Sequence, residues 1–149
     1  MTGAAGHGSG LFGRLGILGV DHVAVTTSRF ERTLADYLSM PGARLDRGPG
    51  WNPTQHVDFA FVVLDGGPTV EILGLRADVA SPIEKHVKRG GGAYHVCYVV
   101  KDIETALAEI EDAGGLVVTP PTPDVAFNGR RIAFFVHQAH GLVELVEAG

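Results

Sequence analysis

The second half of this chain repeats the first half. When the sequence is shifted by 73 residues against itself, residues 21–38 align with residues 94–111, and residues 57–75 align with residues 130–148, without a gap. Ten of these 37 aligned pairs are identical, whereas unrelated sequences would match at roughly two or three. The repeat constrains the fold strongly, because both halves must adopt the same order of helices and strands.

Each half carries the same signals of secondary structure. The first half is predicted to contain a strand at residues 17–27, a helix at 28–38, a strand at 43–46 and a hairpin at 57–75. Runs of β-branched and apolar residues predict the strands, an amphipathic stretch predicts the helix, and Asp, Gly and Pro predict the turn of the hairpin. The Gly- and Pro-rich residues 47–54 predict a loop. The second half repeats this order, with a short strand at residues 116–119 and a Pro-rich loop after it.

These elements predict two tandem βαβββ modules. Module one covers residues 17–75, a connector with a short helix covers residues 76–92, and module two covers residues 93–149. Together the modules form a single domain of residues 17–149. Six glycines within residues 1–16 predict a flexible N-terminal arm.

Composition limits the partners of the chain. A net charge of −5 without a basic stripe argues against nucleic acid and anionic membranes, so a small molecule is the expected partner. No apolar run approaches the roughly 20 residues of a membrane span. A single cysteine excludes an internal disulfide and favours the reducing cytoplasm as its location.

Two histidines and two glutamates recur at equal positions in the repeat. His22 and His95 lie on the first strand of their modules, and Glu71 and Glu144 lie 49 residues later, on the last strand. All four have apolar neighbours on the same face of the strand, since strand side chains alternate. A carboxylate buried without a partner costs several kcal/mol or takes up a proton, so a compensating partner is expected.

A divalent metal ion is the partner that this pattern predicts. If the modules pair about a pseudo-twofold axis, equivalent residues converge, and the four side chains surround one point. Two imidazoles and two carboxylates suit Co²⁺, Mn²⁺, Ni²⁺, Fe²⁺ or Zn²⁺, and open positions remain for a substrate. A single strand histidine or glutamate is more often an ordinary hydrogen-bonded or solvated residue. The repetition of both at one spacing favours the metal.

Several segments resemble the vicinal oxygen chelate superfamily and, within it, the methylmalonyl-CoA epimerases. The resemblance covers about residues 18–147. Its segments are Asp21-His22-Val23-Ala24-Val25, Val70-Glu71-Ile72-Leu73, Pro82-Ile83-Glu84-Lys85, Gly90-Gly91-Gly92-Ala93-Tyr94-His95-Val96, Asp102-Ile103-Glu104-Thr105-Ala106-Leu107, Asn128-Gly129-Arg130-Arg131-Ile132-Ala133-Phe134 and Leu142-Val143-Glu144-Leu145.

The resemblance implies a fold and a function. The fold would be α+β, a curved, mostly antiparallel eight-stranded sheet around a metal-binding cleft, and the ligands would be His22, Glu71, His95 and Glu144. The activity would be a metal-dependent epimerisation next to a thioester carbonyl, on an acyl-CoA substrate. Similar proteins are commonly homodimers, so a homodimer is expected.

Such a reaction requires bases on both faces of the acidic carbon. Glu144 and Glu71 are the candidates that the pseudo-symmetry offers. Asp58 is a third, because it aligns with a base proposed in some epimerases, although a strand-end aspartate in contact with water is an equally good interpretation. The alternatives for the whole chain are a lactoylglutathione lyase (glyoxalase I), a thiol transferase or dioxygenase of the superfamily, and a metal-free protein that sequesters small molecules.

Overall fold

The structure, a computed structural model, describes residues 10–149. Both halves have the predicted order of elements. The first half comprises β1 (Ile17–Thr27), α1 (Phe30–Leu38), β2 (Arg44–Asn52), β3 (Val57–Val63) and β4 (Thr69–Gly74). The connector holds α2 (Glu84–Lys88), and the second half comprises β5 (Gly92–Val100), α3 (Ile103–Asp112), β6 (Leu116–Pro123), β7 (Arg131–His137) and β8 (Gly141–Glu147).

The pairing of the strands is the same in both halves. β1 pairs in parallel with β4, which is antiparallel to β3, and β3 is antiparallel to β2. β5 pairs in parallel with β8, which is antiparallel to β7, and β7 is antiparallel to β6. The predicted fold class, α+β with eight strands in mixed and mostly antiparallel pairing, is therefore confirmed.

The chain divides into two compact units. The first unit consists of His22–His95 and Asp124–Asn128. The second consists of Val96–Pro123, Gly129–Gly149 and the described residues before His22. Residues 92–95 of β5 and residues 124–128, all from the second half, therefore belong to the first unit. The grouping of both modules into a single domain stays a prediction.

In the first unit, α1 covers one face of its strands. Val62, Val70 and Ile72 are buried there, and Phe30 and Leu34 of α1 pack against them. The helix has an apolar stripe because its apolar residues recur at three- and four-residue intervals.

In the second unit, α3 packs against β7 and β8 through a larger core. Ile103 and Ile110 of α3 lie against Phe135 and Leu145. Leu15, which precedes β1, is buried in the same core.

The flexible arm predicted for residues 1–16 is wrong for residues 10–16. Leu11–Arg14 form a 3₁₀ helix, and Leu11 and Phe12 pack on the core that buries Leu15. Burial of apolar side chains at these positions stabilises the segment by more than the conformational freedom of the neighbouring glycines destabilises it. Residues 1–9 lie outside the described part of the chain. None of the helices within residues 10–149 is long and apolar enough to cross a membrane.

β2 and β6 are both longer than the sequence predicts. Residues 47–52, predicted as loop, continue β2 along β3 with two shifts of register, and β6 continues through its prolines along β7 in the same way. Bulges absorb residues that do not fit a regular ladder, and proline is tolerated in a strand whose outer side has no partner. The extension of β2 places Arg47 opposite Phe61.

Candidate metal centre

Backbone pairing within the first unit brings His22 next to Glu71. Ala24 of β1 is paired with Glu71 of β4, and His22 lies two residues before Ala24, on the same face of its strand. Both side chains are buried. Nε2 of His22 lies 3.1 Å from Oε1 of Glu71, so the two groups form an ion pair whenever the imidazole is protonated.

His95 completes a group of three in the first unit. Nε2 of His95 lies 3.4 Å from Nε2 of His22, and His95 is also buried. One ligand atom from each of His22, Glu71 and His95 lies within 4.8 Å of the other two. The sequence predicted that these three residues meet, and the structure brings them together.

These donors fit a divalent metal ion. Metal–nitrogen and metal–oxygen bonds in proteins are about 2.0–2.2 Å long, so adjacent ligands of one ion lie roughly 3 Å apart. The separations of 3.1 and 3.4 Å match that spacing. Imidazole and carboxylate are also the donor types that intermediate first-row ions prefer. An ion would also neutralise the buried carboxylate.

Glu144 occupies the equivalent place in the second unit. It is buried on β8 and is paired with Cys97 of β5 and Phe134 of β7. Glu71 is paired in the same way with Ala24 and Phe61, which are the repeat equivalents of Cys97 and Phe134. The pseudo-symmetry predicted for the two glutamates therefore extends to their backbone surroundings.

Two phenylalanine rings flank His22. The ring of Phe61 is perpendicular to the imidazole at a centroid distance of 5.1 Å, and the ring of Phe127 stacks on it at 5.8 Å. Phe127 belongs to a short 3₁₀ helix, Val125–Phe127, and sequence reasoning missed it. The apolar run Val125-Ala126-Phe127 between a Pro-rich stretch and Asn128-Gly129 is the signal that could have revealed it.

A buried hydrogen-bond cluster holds this 3₁₀ helix in place. Nδ2 of Asn52 donates to both carboxylate oxygens of Asp124, at 2.9 and 3.1 Å. The Asp124 carboxylate also accepts from the backbone N–H of Ala126 at 2.8 Å. Both side chains are almost completely buried. A buried amide–carboxylate pair of this kind fixes the backbone on both sides of it, because breaking it would leave polar groups unsatisfied.

The structure does not bring Asp58, the third predicted base, to the group around His22. Asp58 lies three residues before Phe61 on β3, and therefore on the opposite face of that strand. Its carboxylate binds Arg76 through Nε at 3.1 Å and Nη2 at 2.9 Å. Alternation predicts that Asp58 shares a face with Ala60 and Val62, but nothing in the sequence shows which face of β3 lies towards His22. The role of Asp58 as a base stays a prediction.

The chain belongs to the glyoxalase/bleomycin resistance protein/dioxygenase superfamily, whose family model matches residues 21–134. It is 30% identical, over 98% of its own length and 88% of the relative, to a mitochondrial methylmalonyl-CoA epimerase of Dictyostelium discoideum. It is also 30% identical, over 77% of its length and 85% of the relative, to an ethylmalonyl-CoA/methylmalonyl-CoA epimerase of Cereibacter sphaeroides. A methylmalonyl-CoA epimerase structure from Mycobacterium tuberculosis has the same fold, with a TM-score of 0.74, 22% identity and 90% of each chain covered.

Proposed function

We propose that this chain is a divalent-metal-dependent epimerase that inverts the carbon between a thioester carbonyl and a free carboxylate, with methylmalonyl-CoA or a close homologue as substrate. The observation that carries the proposal is the buried group of His22, Glu71 and His95, in a chain that aligns along almost its whole length with an epimerase of that substrate. Glu144, by its equivalence to Glu71, is proposed as the fourth ligand.

The reaction needs a proton to leave one face of the α-carbon and a proton to return to the other face. A divalent ion held by the four side chains would supply positive charge next to the thioester oxygen, where negative charge develops as the proton leaves. The chain itself must supply the bases. Glu71 and Glu144 are the carboxylates proposed to take up the proton and to return it, since the repeat gives them equivalent positions in the two units.

The surroundings of His22 suit this chemistry. Phe61 and Phe127 cover the imidazole with apolar rings, which keep water away from that side of the ligand group. Electrostatic interactions are stronger where water is excluded, so charge on the substrate is stabilised more effectively there than at an exposed site.

The first experiment measures metal and proton exchange in the same preparation. The purified protein is expected to hold about one divalent ion per chain and to exchange the α-proton of methylmalonyl-CoA with solvent deuterium. His95→Ala is expected to lose the metal and the exchange together, and Glu71→Gln to lose the exchange. A protein that binds the ion but exchanges nothing would contradict the epimerase, and turnover of methylglyoxal with glutathione would then indicate a lactoylglutathione lyase.

The identity of the ion among Co²⁺, Mn²⁺, Ni²⁺, Fe²⁺ and Zn²⁺ is decided by the metal content of the protein as purified and by reconstitution with each ion.

The homodimer and the cytoplasmic location stay predictions. Sedimentation velocity at micromolar concentration tests the former.

A further inference from the structure

His86, on the connector helix α2, is bound to the strand that carries His22. Nδ1 of His86 lies 2.7 Å from Oγ1 of Thr26 on β1, which is a hydrogen-bonding distance. Thr26 is buried and lies four residues after His22, so alternation places both side chains on the same face of β1. The hydrogen bond therefore ties α2 to the face of β1 that carries a proposed metal ligand.

The backbone of the connector fixes His86 from a second side. The carbonyl oxygen of His86 accepts a hydrogen bond from the N–H of Gly91 at 3.0 Å. Gly91 has a φ of +70° and lies so close to β1 that a Cβ on it would be 2.6 Å from the backbone oxygen of Thr26. The side chain and the backbone of His86 are thus both anchored at Thr26, which leaves the imidazole little freedom to move.

Two aromatic contacts connect His86 to His95. The ring centroid of Tyr94 lies 4.9 Å from that of His86 and 5.2 Å from that of His95, and both distances are typical of rings in contact. Side chains of successive residues in a regular strand point to opposite faces. A contact between the rings of Tyr94 and His95 therefore requires that one of them turns away from the regular direction. A shift of His86 would change the packing of the ring that lies next to His95.

His86 supports the ligand group and is not part of it. It is not among the residues, within the described part of the chain, whose donor atoms lie close enough together to share an ion. Its side chain contacts Thr26 on β1 and Tyr94 on β5, the two strands that carry His22 and His95. A phenylalanine could supply the packing, but only the imidazole also binds the buried hydroxyl, and this bond fixes the rotation of its ring.

We propose that His86 is a positioning residue that holds His95 in the orientation required for metal binding. The hydrogen bond to Thr26 fixes the ring of His86. That ring limits the movement of Tyr94, which in turn limits the rotation of the His95 imidazole. Nε2 of His95 is thereby kept 3.4 Å from Nε2 of His22. The inference rests on the proposed function, in which His95 is a ligand, and deepens it.

Two variants remove the hydrogen bond from opposite sides. His86→Phe keeps an aromatic ring next to Tyr94 but has no nitrogen for Thr26, and Thr26→Val keeps the shape of the side chain but has no hydroxyl. Each variant and the double variant are loaded with Co²⁺. The Co²⁺ affinity is measured by competition with a chromogenic chelator, and the visible absorption spectrum of the Co²⁺-loaded protein reports the coordination geometry. If His86→Phe does not fold, Thr26→Val tests the same bond.

Each single variant is expected to bind Co²⁺ roughly 10- to 100-fold more weakly than the wild type, the usual loss when a group that orients a metal ligand is removed. The visible spectrum is expected to shift, because a ligand that can rotate no longer holds one geometry. The double variant is expected to lose no more than the weaker single variant, since both changes remove the same interaction.

Three results would overturn the inference. The first is an unchanged Co²⁺ affinity and spectrum in His86→Phe. The second is a loss of affinity with an unchanged spectrum, because general destabilisation lowers the affinity without altering the coordination. The third is a double variant in which the two single losses simply add, because the two side chains would then act independently.

His56→Phe is the matched control. Nδ1 of His56 also has a bond within the first unit, to the backbone oxygen of Ala80 at 3.2 Å, and its ring stacks on Trp51. These partners lie outside the series of rings that ends at His95, so the control is expected to bind Co²⁺ as the wild type does. A loss equal to that of His86→Phe would assign the effect to general destabilisation and would also overturn the inference.

The inference and the proposed function fail separately. A wild type that binds no divalent ion refutes the metal centre on which the proposed function depends. A wild type that binds Co²⁺ with an affinity and a spectrum that do not depend on His86 refutes only the role of His86.

Discussion

Nε2 of His22 lies 3.4 Å from Nε2 of His95, although 73 residues separate them in the chain. Both imidazoles are buried, and the carboxylate of Glu71 lies 3.1 Å from the first of them. Two imidazole nitrogens and a carboxylate oxygen at these distances have the spacing of ligands that share one ion, and this is the physical basis of the proposed metal centre.

Removing either imidazole is expected to abolish tight metal binding. Loss of a residue that only supports a ligand already costs 10- to 100-fold in metal affinity, so His22→Ala and His95→Ala are expected to lose more than roughly 100-fold. The measurement is competition of the protein with a chromogenic chelator. His140→Ala, an exposed histidine, is the control. Stoichiometric metal in His95→Ala would contradict the site.

Asp58→Asn is expected to leave catalysis almost intact. Its carboxylate points away from the face of Phe61 and is bound to Arg76, so the variant loses an ion pair and keeps the proposed bases. The rate of α-proton exchange is expected to stay within about threefold of wild type, while the melting temperature falls slightly, because partly exposed pairs contribute little. A drop in rate of 100-fold or more would identify Asp58 as a base.

Asp124→Ala is expected to destabilise the protein by about 1–3 kcal/mol, because it leaves the amide of Asn52 and the N–H of Ala126 without their acceptor. Asp124→Asn keeps one oxygen acceptor and is expected to cost less. Chemical denaturation of both variants measures the difference. Equal stability of the Ala variant and the wild type would show that the cluster does not hold the 3₁₀ helix.

Gly91→Ala is expected to be more harmful than Gly92→Ala. Both glycines have positive φ, +70° and +87°, a conformation that costs other residues about 1–2 kcal/mol. A Cβ on Gly91 would lie 2.6 Å from the backbone oxygen of Thr26, whereas a Cβ on Gly92 would meet nothing within 4 Å. The difference in the free energy of unfolding therefore isolates the contact of the connector with β1. Identical stabilities would refute that contact.

The stability of the protein is expected to fall at low pH, in part because of Glu147. Hydrogen bonds from Arg131 hold the pKa of Glu147 below its ordinary value of 4.5, and the same contacts raise the pKa of Arg131. Because the folded pKa is the lower one, the stabilisation is complete above pH 4.5 and is lost as the pH falls through the folded pKa. Thermal unfolding between pH 7 and pH 3 measures it.

Glu147→Gln is expected to lower the melting temperature at pH 7 and to flatten the acid limb of the stability profile. Glu104→Gln, which removes the more exposed partner of Arg131, is expected to change the profile less. An unchanged acid limb in Glu147→Gln would assign the acid sensitivity to other carboxylates.

The repeat explains why the order of elements and the candidate ligands could be predicted from the sequence. Alternation along β1, β4 and β5 fixed which residues share a face, and the shift of 73 residues paired His22 with His95 and Glu71 with Glu144. These are local and periodic properties, so they can be read from the order of the residues. The same alternation could not say which face of β3 lies towards His22, so the sequence left the two interpretations of Asp58 equally good.

The sequence by itself determined the βαβββ order, its repetition and the four candidate ligands. Hydrophobic periodicity and the equal spacing of His and Glu in both halves are properties of the linear sequence. Only the tertiary structure decided that residues 47–52 extend β2, that Arg47 stacks on Phe61, and that Asp124 and Asn52 hold Phe127 against His22. Asn52 and Asp124 are separated by 72 residues, and no period of the sequence relates them. Contacts of this kind depend on packing in three dimensions, and packing is decided only when the whole chain has folded.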